Sequence, residues 1–460
     1  MSRVTSVIED ERIHYLNNLS PRKGKYVLYW MQSSQRTSFN HALTFAIERA
    51  NELYVPLVVL FIVKRNFQEE NARHFLFLLQ GLRDVWESLS KKGIRFVVKM
   101  EEPLDAVKEI AKNACLVVTD TGYLGADRQL NKSLAEQVDC EFVQIESDVV
   151  VPVEAVSAKE EYAAFTIRRK IEKQLPAFLR SFDEGQIRVR SSFVNFNILS
   201  FDVRDPEKAL RSAKLFDEYV INSDRFRGGE QEAHIKLKDF IESKLEKYPT
   251  LRNDPLADVT SNLSPYLAFG HISPIEVALD VLKADKENKF AQQFIEELIV
   301  RRELAFNFVY YNKRYRSLDS VPEWAQRTLS KHAFDKRGYV YSSDDFENAN
   351  THDLVWNAAQ KELVKTGKIN GYIRMYWGKK ILEWAENPSK AYKISLYLNN
   401  KYALDGNSPN SFAGIAWCFG KHDRPFKERP IFGMVRYMSK EALERHFDIS
   451  KYIEKVNSLE

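Results

Sequence analysis

No stretch of this sequence is apolar for long enough to cross a bilayer. The longest strongly apolar run is Val55–Val63, and a membrane-spanning helix needs about 20 such residues. The opening segment MSRVTSVIEDERIHYL is acidic and mixed, without the apolar core of a secretory signal. Cysteine is scarce: Cys115, Cys140 and Cys418 form an odd set without metal-ligand spacing. That argues against a disulfide framework or a metal site, and it predicts small buried thiols in a reducing, cytoplasmic setting. No GxGxxG follows the first apolar run; WMQSSQR (30–36) stands there instead, which argues against an ordinary dinucleotide site. Internal repeats and low-complexity tracts are also missing. Charge of one sign is sparse, with a net +4 that does not by itself announce nucleic acid. Residues 1–150 hold 19 Lys and Arg against 20 Asp and Glu, which leaves 49 against 44 for the remainder. The small basic excess therefore sits in the later two-thirds.

What is present describes a globular protein, 44% hydrophobic and 29% charged, with room in 460 residues for two domains. Its halves differ in grammar. KYVLYWM (25–31), VPLVVLFIV (55–63), IRFVVKM (94–100), CLVVTD (115–120) and CEFVQIE (140–146) are β-rich runs. Helical patterns separate them near 39–53, 71–92, 103–113 and 127–138. This order predicts an α/β domain over 1–150, a doubly wound parallel sheet covered on both faces. Residues 151–227 read as a connector, with one helix at 158–181. From 228 to 460 the strand signal fades, and helices are expected at 230–247, 274–284, 289–311, 356–366, 371–386 and 388–399.

GYIRMYWGKKILEW (371–384) places Arg374, Trp377, Ile381 and Trp384 on one helical stripe. A guanidinium on a buried stripe needs an anion, because an unpaired buried charge is very costly. LNNKYALDGNSPN (398–410) offers Asp405 in a glycine-containing turn. VTSNLSPYLAFGHIS (259–273) offers the hydroxyls of Thr260, Ser261 and Ser264 at apparent helix starts, a pattern that caps helices or cradles an anion. Four of the seven tryptophans, Trp356, Trp377, Trp384 and Trp417, fall between 356 and 417. Trp30, Trp86 and Trp324 read as core. Indoles in series along one helix face fill a core or relay an electron, and spacing alone favours the core.

These segments, together with GGEQEAHIKLKDFI (228–241), EELIVRREL (296–304) and TGKINGYIRMYW (366–377), occur in an order that resembles the photolyase/cryptochrome flavoproteins. RMYWGKKILEW and YWMQSSQR (29–36) resemble the class II cyclobutane pyrimidine dimer photolyases in particular, over essentially the whole chain. The resemblance implies a photolyase fold, an α/β antenna-type domain followed by an all-α domain that binds FAD and DNA. It implies flavin contacts from Tyr248, Thr260, Ser261, Asn262, Leu263 and Ser264, an Arg374–Asp405 ion pair beside the flavin ring, and Asn399 near flavin N5. Trp377, Trp356 and Trp384 correspond to the electron relay that reduces oxidised flavin.

The implied activity is light-driven repair of cyclobutane pyrimidine dimers by electron transfer from excited reduced FAD, with UV-damaged DNA, double- or single-stranded, as partner and a monomeric protein. Glu297 would hydrogen-bond the dimer, and Met375, Tyr372 and Trp417 would wall its pocket. Arg252, Arg301, Arg302 and Arg424 are the candidates for contacting phosphate or filling the space left by a flipped dimer. Other branches carry a Trp on the helix that here reads EELIVRRE, so Trp417 is the stacking candidate. Ser411 stands where they place an Asn, which favours Asn399 at N5. A deazaflavin or folate antenna fits the first domain, and no metal is expected. The alternative is a cryptochrome-like photoreceptor without repair activity, disfavoured by the ordered-looking FDISKYIEKV near residue 460. Repair of 6-4 photoproducts would want a histidine in the pocket, and His271 and His352 lie nearest in sequence.

Overall fold

The protein is described here from a computed structural model, over residues 6–64, 71–192, 198–213 and 225–459. Residues 193–197 and 214–224 of the expected connector lie outside the described residues.

The five β-rich runs form β2 (Tyr26–Met31), β3 (Leu57–Ile62), β4 (Arg95–Lys99), β5 (Ala114–Asp120) and β6 (Glu141–Ile145). A short β1 (Ile13–Tyr15) is added at the edge, giving the order β1-β6-β5-β2-β3-β4. All neighbours are parallel except β1, which runs antiparallel to β6 with Ile13 opposite Ile145. The sequence reading misses β1 because three residues with a central histidine carry no periodicity to detect. Helices α1 (His41–Leu53), α2 (Ala72–Lys92), α3 (Pro103–Ala111) and α4 (Gly125–Ala135) lie between the strands. They cover both faces, so β2, β3 and β5 are buried along their whole length.

WMQSSQR closes around a carboxylate. Asp120 Oδ2, at the end of β5, accepts the backbone N–H groups of Gln32, Ser33 and Ser34 at 2.7, 3.1 and 3.2 Å. The donors that a glycine-rich loop turns toward a phosphate are here spent on a side chain.

Beyond β6 every element longer than a bridge is helical among the described residues. The expected helix near 158–181 is Ala164–Phe178, and 274–284 is Pro274–Ala284. The region 289–311 splits into Ala291–Ile295, a π-helical turn Glu296–Arg301, and Arg302–Tyr311. A second π-helical turn, Phe240–Lys244, ends the helix Glu230–Asp239. Leu354–Thr366, Gly371–Trp384 and Pro388–Tyr402 follow as expected. The helix Pro409–Cys418 escapes the sequence reading because its Gly, Ser and Asn content reads as loop. Its start signal is Ser408, which caps Ser411 N–H, followed by Pro409 at the first helical position. No described helix is long and apolar enough to cross a membrane.

Buried charge joins the halves. Glu303 accepts from Val150 N at 2.5 Å and Val151 N at 3.2 Å, while Arg36, held by Ser147 O and Asp148, reaches across to Gly270 O at 3.1 Å. Gly270, at φ +71°, lies so close to the Ser33 carbonyl that a Cβ would sit 1.7 Å from its oxygen.

Candidate functional site

The site is built around the helix Gly371–Trp384. Asn370 caps it by accepting from Tyr372 N, and its amide donates to Arg252 O at 3.0 Å, which ties the helix start to the 248–252 turn. One turn in, Arg374 donates from Nη1 and Nη2 to the two oxygens of Asp405 at 2.9 and 3.3 Å. Burial pushes the Asp405 carboxyl up, but the Arg374 guanidinium, the Ser264 hydroxyl and the nearby Lys368 outweigh it and hold the carboxyl below its ordinary range. Ser264 thereby draws the Thr260–Ser264 turn to the ion pair. Within that turn Asn262 is left-handed at φ +57°, Thr260 hydroxyl donates to Asn262 Oδ1 at 3.3 Å, and Leu263 is buried. Ser261 Oγ receives Leu263 N at 3.4 Å.

Asn399 is buried, and its amide donates to Ser411 Oγ at 2.6 Å. The two positions that the sequence weighs against each other are thus hydrogen-bonded neighbours. Met375 Sδ lies 3.9 Å from Cys418 Sγ, on the adjacent helix. Tyr248 is buried among Phe240 and Phe294, and Tyr372 meets His446 edge-on at 4.7 Å.

Three indoles run back from Arg374. Trp377 and Trp356 are fully buried and stack at 6.3 Å with planes 5° apart. Trp356 then meets Trp384 edge-on at 6.4 Å. Trp356 donates to Trp377 O at 3.0 Å and Trp377 to Gln360 Oε1 at 2.9 Å, so both rings are locked. Trp384 touches His352 and Tyr341, with centroids at 4.8 and 6.1 Å.

Glu297 lies partly exposed on the π-helical turn, accepting from Gln293 at 3.3 Å. Such turns widen a helix and are frequent at functional sites. On the same turn Arg301 lies 5.2 Å over the half-exposed Trp417 indole and pairs with Glu296, itself held by Arg168 at 2.6 Å. Arg252 is partly buried and bonds Pro249 O, whereas Arg424 is exposed, 5.9 Å from the Phe426 ring. Arg302 corrects the sequence expectation. It is buried against the sheet and donates to Asp148 O at 2.6 Å, so it is withdrawn from any DNA phosphate.

The histidine that the sequence reading overlooked is His422, in KHDRPFKER. It meets Trp417 edge-on at 6.0 Å, with Nδ1 against Tyr162 O. Burial pushes it down to about 3, so it stays neutral and is a poor proton donor. His271 is packed behind Phe77, and His352 lies at the far end of the indole series.

The chain is 45% identical to the deoxyribodipyrimidine photo-lyase of Methanothermobacter thermautotrophicus, over 98% of this chain and 99% of the relative. The chain belongs to the DNA photolyase family. A family model described as DNA photolyase matches residues 27–186. The deoxyribodipyrimidine photo-lyase of Potorous tridactylus is 36% identical over 94% of this chain and 81% of its own length. Among solved structures, a bacterial class III photolyase from Agrobacterium tumefaciens superimposes with a TM-score of 0.70 at 18% identity, covering 95% of this chain and 87% of that one. A photolyase from Sulfolobus tokodaii with two FAD molecules gives 0.69 at 18% identity, over 93% and 89%. At that identity the likeness is one of fold, and it extends through both halves of this photolyase-family chain.

A cavity of about 280 Å³ opens where the strand order reverses, outside the carboxyl ends of β2 and β5. Open α/β sheets bind ligands at that switch point. Ser33 Oγ, Gln35 Oε1, Thr121 Oγ1, Tyr123 Oη and Arg302 Nε line it, buried and without hydrogen-bond partners among the described residues. Burial and the neighbouring Asp148 push Asp120 up to about 6.

Proposed function

We propose that this chain repairs cyclobutane pyrimidine dimers in DNA with light, as a class II photolyase carrying FAD in its helical half. The observation that carries this reading is the series Trp384–Trp356–Trp377, continuous at 6.4 and 6.3 Å, ending one helical turn from the Arg374–Asp405 pair. Two stacked, fully buried indoles locked by their own N–H groups are an elaborate way to fill a core, and they form a path for single electrons.

The residues fit a flavin. Tyr248, the Thr260–Ser264 turn, Arg374, Asp405 and Asn399 would hold it, and the Arg374 guanidinium, oriented by Asp405, would offer hydrogen-bond donors to a reduced, anionic ring. When bound, the flavin supplies the electron that opens the dimer. The chain's own work is placement. Met375, Tyr372 and Trp417 offer an apolar wall, and Glu297 a hydrogen-bonding group, to a dimer flipped from the duplex, a step made cheaper by the weakened pairing of the lesion. Arg301, seated on the Trp417 ring, steadies that indole. The exposed Arg424 and the partly buried Arg252 are left for phosphate or for the vacated stack.

The cavity at the sheet switch point supports a second, antenna chromophore. Five unpaired polar atoms in a chamber walled by Trp30, Phe61, Leu78, Phe269 and Phe306 on one hand and by Asp120, Asp148 and Lys64 on the other suit a flat heteroaromatic ring with polar edges, of deazaflavin or folate type.

One assay separates repair from photoreception. The purified protein, chemically reduced, is illuminated with an oligonucleotide that holds a single thymine dimer. Light-dependent recovery of intact thymines supports the reading. Flavin absorbance with no repair in light or dark overturns it in favour of a cryptochrome-like photoreceptor.

A further inference from the structure

Lys368 lies on the loop between the helices Leu354–Thr366 and Gly371–Trp384, facing the Thr260–Ser264 turn. Its amine donates to one neutral acceptor, Asn262 Oδ1, at 3.0 Å, and Phe226 covers it at 5.7 Å. Neighbouring cations have carboxylates of their own. Arg225 lies 3.6 Å from Asp258 and 3.8 Å from Glu362, and Arg374 takes Asp405. Among the described residues no carboxylate pairs with Lys368. A partly buried amine whose direct partner is an amide, with Asp405 and Asp258 acting on it only from a distance, has room for a closer anion.

We propose that Lys368 is the cation that receives the diphosphate of the dinucleotide held over the Thr260–Ser264 turn. The inference rests on the flavin reading above and adds a residue to it. Asn262 is the hinge of the arrangement: its left-handed backbone brings Oδ1 to both the Thr260 hydroxyl and the Lys368 amine. The amine is thereby fixed beside the turn's hydroxyls before any ligand arrives. Burial pushes the amine down to about 7, Asp405 and Asp258 raising it and Arg374 and Arg225 lowering it. A bound diphosphate raises it again, so binding and protonation reinforce each other.

The test measures affinity of the full-length, flavin-stripped chain for FAD and for riboflavin, which lacks the diphosphate, by quenching of flavin fluorescence. Lys368→Gln keeps a donor for Asn262 and removes the charge. It should weaken FAD about tenfold or more and leave riboflavin unchanged. Lys368→Arg should retain FAD. In the wild type, FAD affinity should decline as pH rises from 6 to 9, and Lys368→Gln should abolish that decline. The proposal is overturned if Lys368→Gln binds FAD like wild type, or if FAD and riboflavin weaken together, which would make Lys368 only a brace for Asn262. Wild type that binds no FAD at any pH would instead overturn the flavin reading itself.

Discussion

Trp356 is the middle indole of the series, on a different helix from the two it joins. Without it, Trp377 and Trp384 stand two helical turns apart on one face. Trp356→Phe should therefore abolish photoreduction of oxidised flavin with an external reductant, followed as bleaching of flavin absorbance. Chemically reduced variant should still repair dimers; loss of both activities with flavin retained would make Trp356 a structural residue. Arg252 and Arg424 differ in expected role. Arg252 sits in the turn that anchors the relay helix, and Arg252→Ala should weaken lesion-bearing and intact duplex in parallel. The slope of log affinity against log salt should also flatten by about one unit. Arg424→Ala should instead shrink the lesion-to-intact ratio with little change in slope. Binding titrations across a salt series check both, and equal loss for both duplexes would reduce Arg424 to a phosphate contact. At this scale Arg374 and Asp405 were readable in sequence, because a charge on an apolar stripe demands a partner. Arg302 is not legible in this way: adjacent residues on a helix diverge by about 100°, and only packing shows that Arg302 turns inward to Asp148 O while Arg301 lies over Trp417.

Among elements, the joint between the WMQSSQR loop and the segment after the helix Ser264–Ala268 is the most constrained. Gly270 is left-handed there, and Arg36 Nη1 donates to its carbonyl at 3.1 Å. Gly270→Ala would add left-handed strain and drive a methyl group into the Ser33 backbone, where no side-chain rotation gives relief. The expected loss is about 3 kcal/mol or more of stability, read from the midpoint of urea unfolding. A midpoint unchanged from wild type would mean that the two segments separate without cost. Periodicity reported the five parallel strands and the longer helices because each has one buried face or two. The π-helical turn carrying Glu297 and Arg301 was illegible, since a widened turn leaves the hydrophobic pattern almost as it was.

For the molecule as a whole, the end of the sheet carries a buried acid, Glu146, whose burial favours the protonated form. Burial is the main reason that Glu146 is pushed up to about 8, although the Val153 N–H and Arg12 pull the other way. The unfolded chain releases this proton near the ordinary value of 4.5. Between those values the folded state holds one more proton, so stability falls as pH rises, by about 1.4 kcal/mol per unit, until pH 8. Glu146→Gln removes that slope. Its stability relative to wild type should grow from pH 5 to pH 8 in denaturant titrations, and a difference independent of pH would show that Glu146 is ionised in the fold.

The sequence by itself determined the alternation of strands and helices, the change of grammar after residue 150, and the pairing of an arginine stripe with an acidic turn. Each is a local pattern or a charge that physics obliges to be answered. The tertiary structure alone decided that Trp356 bridges Trp377 and Trp384, that Asp120 takes the loop's backbone donors, and that Lys368 faces Asn262 without a paired carboxylate. Those are contacts between segments 21 to 106 residues apart, and side-chain spacing along the chain carries no trace of them until the core brings the segments together.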